Sequence, residues 1–437
     1  MPKRRFYGWW ITAAAFCTFG IAVGIPYYSM PFFYDYYEKA PAQGGFGWSR
    51  PDITFGFPLA ALFTLWVGPL LVHRFSPRKM ILIGTALTCA AFYGFGKMSG
   101  DLWVYYAFWF LYVMGYIFSG PIPHQVIISQ WFRKHRGKAM GVTYLGVGAF
   151  GAISAKFIAK PLTETFGFHT ALQIMGAMMF LVWPIAIWLM RDRPAEMGLF
   201  PDGESESHAS ASVPPQSFGF LLRQRAFWLL VIGSACSIGS IGSINQHMKL
   251  VFKDQGFTDQ KLLNHVFSEA LFYIMVSSIA GRLFMGWMAD RFPKKYVMTL
   301  TYLLVAVTIP LLLMVRPTEA ASLALESPAT VYIFAILFGF GMGADYMLIP
   351  LMAAEQFGVN TLARAMAIIL PTDTIGQTWF PYAVSLLRER FGDYGLALGA
   401  VFATAMIGAA AIALLPRHGR QDETLHVPEP ARARVGS

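Results

Sequence analysis

The strongest constraint on this chain is a series of about twelve apolar stretches of about 20 residues each, the length at which a helix crosses a bilayer. They cover 8–32, 50–72, 79–98, 102–130, 138–160 and 168–190, then 222–248, 265–289, 296–315, 330–354, 364–387 and 394–416. Within lipid a backbone must satisfy its own hydrogen bonds, so such stretches are helical. The expected fold is therefore an all-α integral membrane protein with twelve transmembrane helices. Charged residues make up 13% of the 437 positions, against about 25% in soluble domains.

Charge placement orients the chain. With the N-terminus inside, about 22 Lys and Arg fall on cytoplasmic segments and about 10 on the opposite side. Both termini are then expected in the cytoplasm of a plasma (inner) membrane protein. The net charge of +10 comes in short clusters between apolar stretches, which excludes nucleic acid as a partner. Lys3-Arg4-Arg5 precedes a stretch too long for a signal peptide and without a small-residue cleavage site, so it reads as a retained first helix. Cys17, Cys89 and Cys236 lie in apolar stretches without metal-ligand spacing. No phosphate loop, zinc motif or nucleophile elbow occurs. A transporter driven by a gradient is expected, and neither an enzyme nor a cofactor protein.

The chain repeats itself. His73-Arg74-Phe75 with Arg78-Lys79 closes the second stretch, and Asp290-Arg291-Phe292 with Lys294-Lys295 closes the eighth. Gln130-Trp131-Phe132 ends the fourth and Glu355-Gln356-Phe357 the tenth. Two six-helix halves are expected, 1–190 and 222–416, joined by a polar cytoplasmic linker at 191–221 and followed by a disordered cytoplasmic tail at 417–437. A solute passing between such halves meets them near the bilayer midplane.

Three charges fall at that depth, all in the second half. Arg282 lies midway through the eighth helix, where a guanidinium costs about 2.5–3.5 kcal/mol on insertion scales. Asp373 lies midway through the eleventh and Asp345, beside Tyr346, midway through the tenth. The corresponding first-half positions hold Gly120 and Gly148. Arg282 is the expected carboxylate ligand, because its planar fork donates two parallel hydrogen bonds. The other reading is a permanent Arg–Asp pair that only neutralises buried charge. Asp373, and after it Asp345, is the expected proton carrier. Burial favours a neutral carboxyl and a nearby guanidinium its anion, so proton and substrate would compete for Arg282.

Softer groups complete the expected site. Tyr27 and Tyr28 follow Pro26 and offer hydroxyls to the cavity, as does Tyr346, and Gln377, one turn after Asp373, offers an amide. His124 sits in a helix interrupted by two prolines, and such interruptions line cavities. His247 is expected at an outer gate or proton relay. Lys156 is expected to snorkel to the interface, and Glu269 to be solvated. Gly141, Gly146, Gly148 and Gly151 mark close helix packing in the fifth helix.

The loop Gly286-Trp-Met-Ala-Asp290-Arg291-Phe292-Pro-Lys294-Lys295 resembles the G-x-x-x-D-R-x-x-[RK]-[RK] signature of the major facilitator superfamily. Its first-half copy, with Arg74, has His73 in place of the Asp and one extra residue before Arg78. Within that superfamily the chain is most similar to the proton-linked monocarboxylate transporters and the related oxalate/formate antiporters. The passages that carry this are Gly24-Ile-Pro26 with Gly47-Trp48-Ser49-Arg50, and Trp131-Phe132 through Arg136-Gly137 to Gly141. Arg191-Asp-Arg-Pro194 through Pro201-Asp202-Gly203 and Gly281-Arg282 with Gly286 are the others. The resemblance implies that Arg282 binds the substrate carboxylate. Ser278 stands where animal members place an Asp, and Tyr27 where they place a Lys. The function expected is transport of a small organic anion, a monocarboxylate, together with a proton, by a monomer in the lipid bilayer. Anion exchange of the oxalate/formate type and efflux of an amphipathic compound are the rival readings.

Overall fold

The computed structural model describes residues 6–64, 75–132, 135–203, 217–317, 326–358 and 361–416, and these contain twelve long helical segments and no strand. The first half supplies α1 (Gly8–Glu38), α2 (Arg50–Thr64), α3 (Pro77–Lys97), α4 (Leu102–Trp131), α5 (Arg136–Phe166) and α6 (Phe168–Trp188). The second supplies α7 (Arg225–Asp254), α8 (Gln260–Arg291), α9 (Lys294–Leu313), α10 (Ala329–Phe357), α11 (Leu362–Phe391) and α12 (Tyr394–Ala413). Ten of them are long and apolar enough to cross a membrane. The other two are α2, which runs into residues outside the described set, and α11, whose middle is diluted by Thr372, Asp373, Thr374, Gln377 and Thr378.

Several helices outrun their apolar stretches. α1 continues to Glu38, α7 to Asp254, and α8 starts at Gln260. The added turns carry Asp35, Glu38, Lys249, Lys253 and Asp254, which pair with one another or with charges on neighbouring helices. Hydropathy ends a helix where charge begins, but paired charge lets it continue. In α1 a π-turn, Gly20–Gly24, precedes Pro26; the wider turn accommodates a ring that would clash in a regular helix.

α3 packs between α4 and α6, and α1 lies along α5. In the second half α7 packs on α11 and α12, and α10 on α8 and α9. The halves touch where α5 meets α8 and where α2 meets α11. Small residues set the closest approaches. A Cβ on Gly343 of α10 would collide with the Ser278 carbonyl of α8, and one on Gly146 of α5 with the Phe16 carbonyl of α1. Gly141, by contrast, faces open space.

The start of the expected linker is folded against the first half instead of hanging free. Asp192 accepts from the Arg78 backbone N–H near the start of α3, and the Trp131 indole donates to the Arg191 carbonyl. Residues 204–216 of that linker, the tail from 417, and Arg74 of the first-half signature lie outside the described residues.

Candidate functional site: a cavity between the halves

A cavity of about 40 Å³ lies between α1 and α5 on one side and α7, α8, α10 and α11 on the other. The first half contributes the aromatic wall. Tyr27 and Tyr28, one turn after the π-turn, meet edge to face at 5.0 Å. The Tyr27 hydroxyl accepts from Gln377 Nε2 of α11 at 2.8 Å, a bond that joins the two halves. Gly148 of α5 leaves room beside Ile279 and Ser278 of α8. The second half contributes Arg282, Tyr346, Asn245 and Gln377.

Arg282 is held at both ends of its fork by neutral acceptors. Nε donates to the Gly343 carbonyl of α10 at 2.9 Å and Nη1 to the Tyr144 carbonyl of α5 at 3.0 Å. The expected pairing with Asp345 or Asp373 does not form. Both carboxylates are buried behind the cavity, inside the second half, and neither lines it. Asp345 Oδ2 accepts from Ser237 Oγ of α7 at 2.7 Å, while neither Asp373 oxygen has a partner within hydrogen-bond geometry among the described residues. The two Asp side chains therefore cannot compete directly with a solute for Arg282, as a shared cavity would require.

Neither histidine reaches the cavity. His124 is fully buried in the first half, its Nδ1 against the Gly120 carbonyl at 2.8 Å and its Nε2 against Thr18 Oγ1 at 2.9 Å, and it stacks on Phe19. With both nitrogens engaged, it braces α1 against α4. His247 is equally buried, between Tyr394 Oη at 2.8 Å and the Pro381 carbonyl at 2.7 Å. It ties α7 to α11 and α12 and lies behind the charge network described next. Lys156 and Glu269 are not free at an interface: they form an ion pair of 2.8 Å between α5 and α8.

The end of the bundle away from the termini is closed by charges. Arg50 of α2 donates through Nε to Glu38 at 2.8 Å and through Nη1 and Nη2 to Asp254 of α7 at 2.7 and 2.6 Å. Arg388 of α11 adds a bond to Asp254 at 2.8 Å, and Lys253 one to Glu38 at 2.6 Å. Deeper in, Lys249 of α7 meets Asp35 of α1 at 2.7 Å with both side chains at 0% exposure. Gln260 of α8 donates to the other Asp35 oxygen at 2.7 Å, and Tyr34 to Gln246 at 2.7 Å. Sequence reasoning missed this network. Its signal was present: Asp35 and Glu38 are three apart and Lys249 and Lys253 four apart, each pair on one helix face. Asn245, adjacent to Gln246 and one turn before Lys249 of that network, was also missed as a cavity residue.

At the opposite end, Gly286, Asp290 and Arg291 occupy the last turns of α8. Arg291 lies over the Trp287 ring at 4.1 Å, and Lys294 of α9 pairs with Glu355 of α10 at 2.7 Å.

The sequence profile of the Major Facilitator Superfamily matches residues 11–325 and again 264–434. Monocarboxylate transporter 10 of Rattus norvegicus is 24% identical over 441 residues, which cover 95% of this chain and 79% of that protein. The fujikurins efflux protein of Gibberella fujikuroi is 25% identical over 405 residues, 89% of this chain and 78% of that protein. Among solved structures, the peptide transporter POT aligns with a TM-score of 0.69 at 14% identity, over 94% of this chain and 95% of that one. A bacterial homologue of the human lysosomal transporter Spinster, solved facing inward, aligns at 0.63 with 15% identity, over 94% and 95%. The match spans nearly the whole chain, and the fold and the cavity between the halves agree with it: this chain is a multi-pass membrane transporter of the Major Facilitator Superfamily.

Proposed function

We propose that this transporter carries a small organic anion, a monocarboxylate, together with a proton by alternating access. The observation that carries the reading is the state of Arg282. It lines the cavity, yet its hydrogen bonds go to two backbone carbonyls, and it makes no ion pair among the described residues. A guanidinium so held keeps its net charge for an incoming anion, and a carboxylate supplies the planar acceptor that matches it. Tyr28, Tyr346, Tyr27 and Gln377 supply neutral donors and walls. A space of about 40 Å³ holds roughly three water-sized groups. Among the described residues Arg282 is the one cation on the cavity walls, which favours one carboxylate over two. The likeness to a monocarboxylate transporter points the same way.

The experiment is uptake of radiolabelled mono- and dicarboxylates by proteoliposomes, with and without an acid-outside pH gradient. The expected outcome is accumulation of a monocarboxylate driven by that gradient, with alkalinisation of the outer medium. Uptake that ignores the gradient but needs a counter-anion inside would instead establish exchange.

The same proposal places both termini in the cytoplasm and makes the monomer the working unit, its halves meeting at the linker around 191–221. Gln43 is exposed in the loop between α1 and α2. A cysteine there is expected to react with a membrane-impermeant maleimide on intact cells. Labelling only after permeabilisation would reverse the topology.

A further inference from the structure

Behind the cavity, the interior of the second half holds a group of oxygens for which the mechanism above has only a loose use. Asp345 of α10 is at 0% exposure and Asp373 of α11 at 2%. They interact electrostatically with each other and with Tyr302 of α9, whose hydroxyl lies beside the Asp345 carboxyl. Asp345 Oδ1, both Asp373 oxygens and the Tyr302 hydroxyl are buried with no partner in hydrogen-bond geometry among the described residues. Ser237 of α7 donates to Asp345 Oδ2, and Ser234, one turn earlier, approaches Asp373. Cys236 is the remaining titratable neighbour of Tyr302. Neither carboxyl forms an ion pair with Lys, Arg or His among the described residues. Two ionised carboxylates in so dry a place repel each other and lose hydration without return, so one of them must be neutralised.

The position of this group matters as much as its chemistry. Three of its polar residues, on α7, α10 and α11, have a cavity-lining neighbour on their own helix. Asp373 is one turn before Gln377, Ser237 one turn before Ile241, and Asp345 immediately before Tyr346. The carbonyl of Gly343, two residues before Asp345, holds Arg282 Nε. The group thus lies about one turn from the cavity, toward the face that bears the termini, and shares three helices with its wall.

We propose that Asp345, Asp373, Ser237 and Tyr302 form a binding site for one small monovalent cation, H⁺ or Na⁺, that is separate from the substrate cavity and acts on it through α10 and α11. All the donors are oxygens, the ligand type of a hard cation, and the same oxygens can share a proton. This deepens the reading of the chain as a cation-coupled carrier and rests on it. Coupling then runs through the helices. Filling the site removes the repulsion between α10 and α11, lets them approach, and shifts Tyr346, Gln377 and the Gly343 anchor of Arg282 together.

The test is thermal unfolding of the full-length protein in detergent. One arm replaces choline chloride by NaCl at constant ionic strength and pH 8; the other lowers the pH from 8 to 5.5 without Na⁺. One arm is expected to raise the unfolding temperature of the wild type by about 5 °C, as a ligand bound only by the folded state does. A rise with NaCl identifies Na⁺; a rise with acid alone identifies the proton. In either case Asp373→Asn and Asp345→Asn should abolish the response, and Tyr302→Phe, which removes only a hydroxyl, should shift its midpoint several-fold. Wild type and Asp373→Asn responding alike in both arms, or a wild type indifferent to both, overturns the site. Arg282→Ala should keep the full cation response. If it does so while anion uptake is also normal, the substrate reading falls and the cation site stands.

Discussion

Arg282→Ala is expected to abolish anion uptake into proteoliposomes while leaving the protein folded, as judged by an unchanged elution volume and a cooperative unfolding transition. A charge-assisted hydrogen bond contributes about 1.5–3 kcal/mol. Losing the pair of bonds that a carboxylate would make with the fork lowers affinity by about 10²-fold or more. The fold tolerates the change because the groups left behind are two helix carbonyls, Gly343 and Tyr144, and not a stranded carboxylate. Had Arg282 been the fixed partner of Asp345, the same substitution would have unfolded the second half. Arg282→Lys is expected to fail almost as badly. A single ammonium cannot hold α5 and α10 through separate nitrogens and still present a planar face to a substrate. Normal uptake by Arg282→Ala would sink the proposed function.

Lys249→Met is expected to show the second large effect, and on stability. Lys249 and Asp35 are both at 0% exposure and join α7 to α1 across the two halves. Removing one member of a buried pair costs about 3–5 kcal/mol, because the other charge stays in low dielectric. The expected result is a clear drop in unfolding temperature for Lys249→Met and for Asp35→Leu. The double substitution should recover most of it, since two apolar residues leave no stranded charge. Additive losses in the double variant would show that the two side chains do not act as a pair. The pair must also separate whenever α1 and α7 part. The double variant should therefore alter the balance between conformations open on opposite faces, read as faster alkylation of a cysteine introduced at Tyr28.

Much of the architecture was legible because lipid imposes simple rules. Apolar length follows from bilayer thickness and backbone hydrogen bonding, and the helices lie close to where that rule puts them. The ends of α1, α7 and α8 were misjudged because hydropathy treats every charge as an exit from the membrane, whereas Glu38, Lys253 and Asp254 are paired in place. Glu269, expected in water, and Lys156, expected at the interface, satisfy one another. Arg282, Tyr27, Tyr28, Tyr346 and Gln377 line one cavity. His124 does not, because depth along a helix is readable from sequence and direction around it is read less surely.

That difference separates what the sequence alone determined from what needed the tertiary structure. From sequence came the all-helical membrane class, the two-half repeat, the superfamily signature at the end of α8, and the depth of Arg282, Asp345 and Asp373. Each depends on distance along one helix, which is proportional to residue number. Only the tertiary structure decided which charges share a space. It set Arg282 alone in the cavity, the two Asp residues behind it, and Asp35 against Lys249 at the closed end. Those partnerships depend on the rotation and contact of helices hundreds of residues apart, which no local pattern encodes.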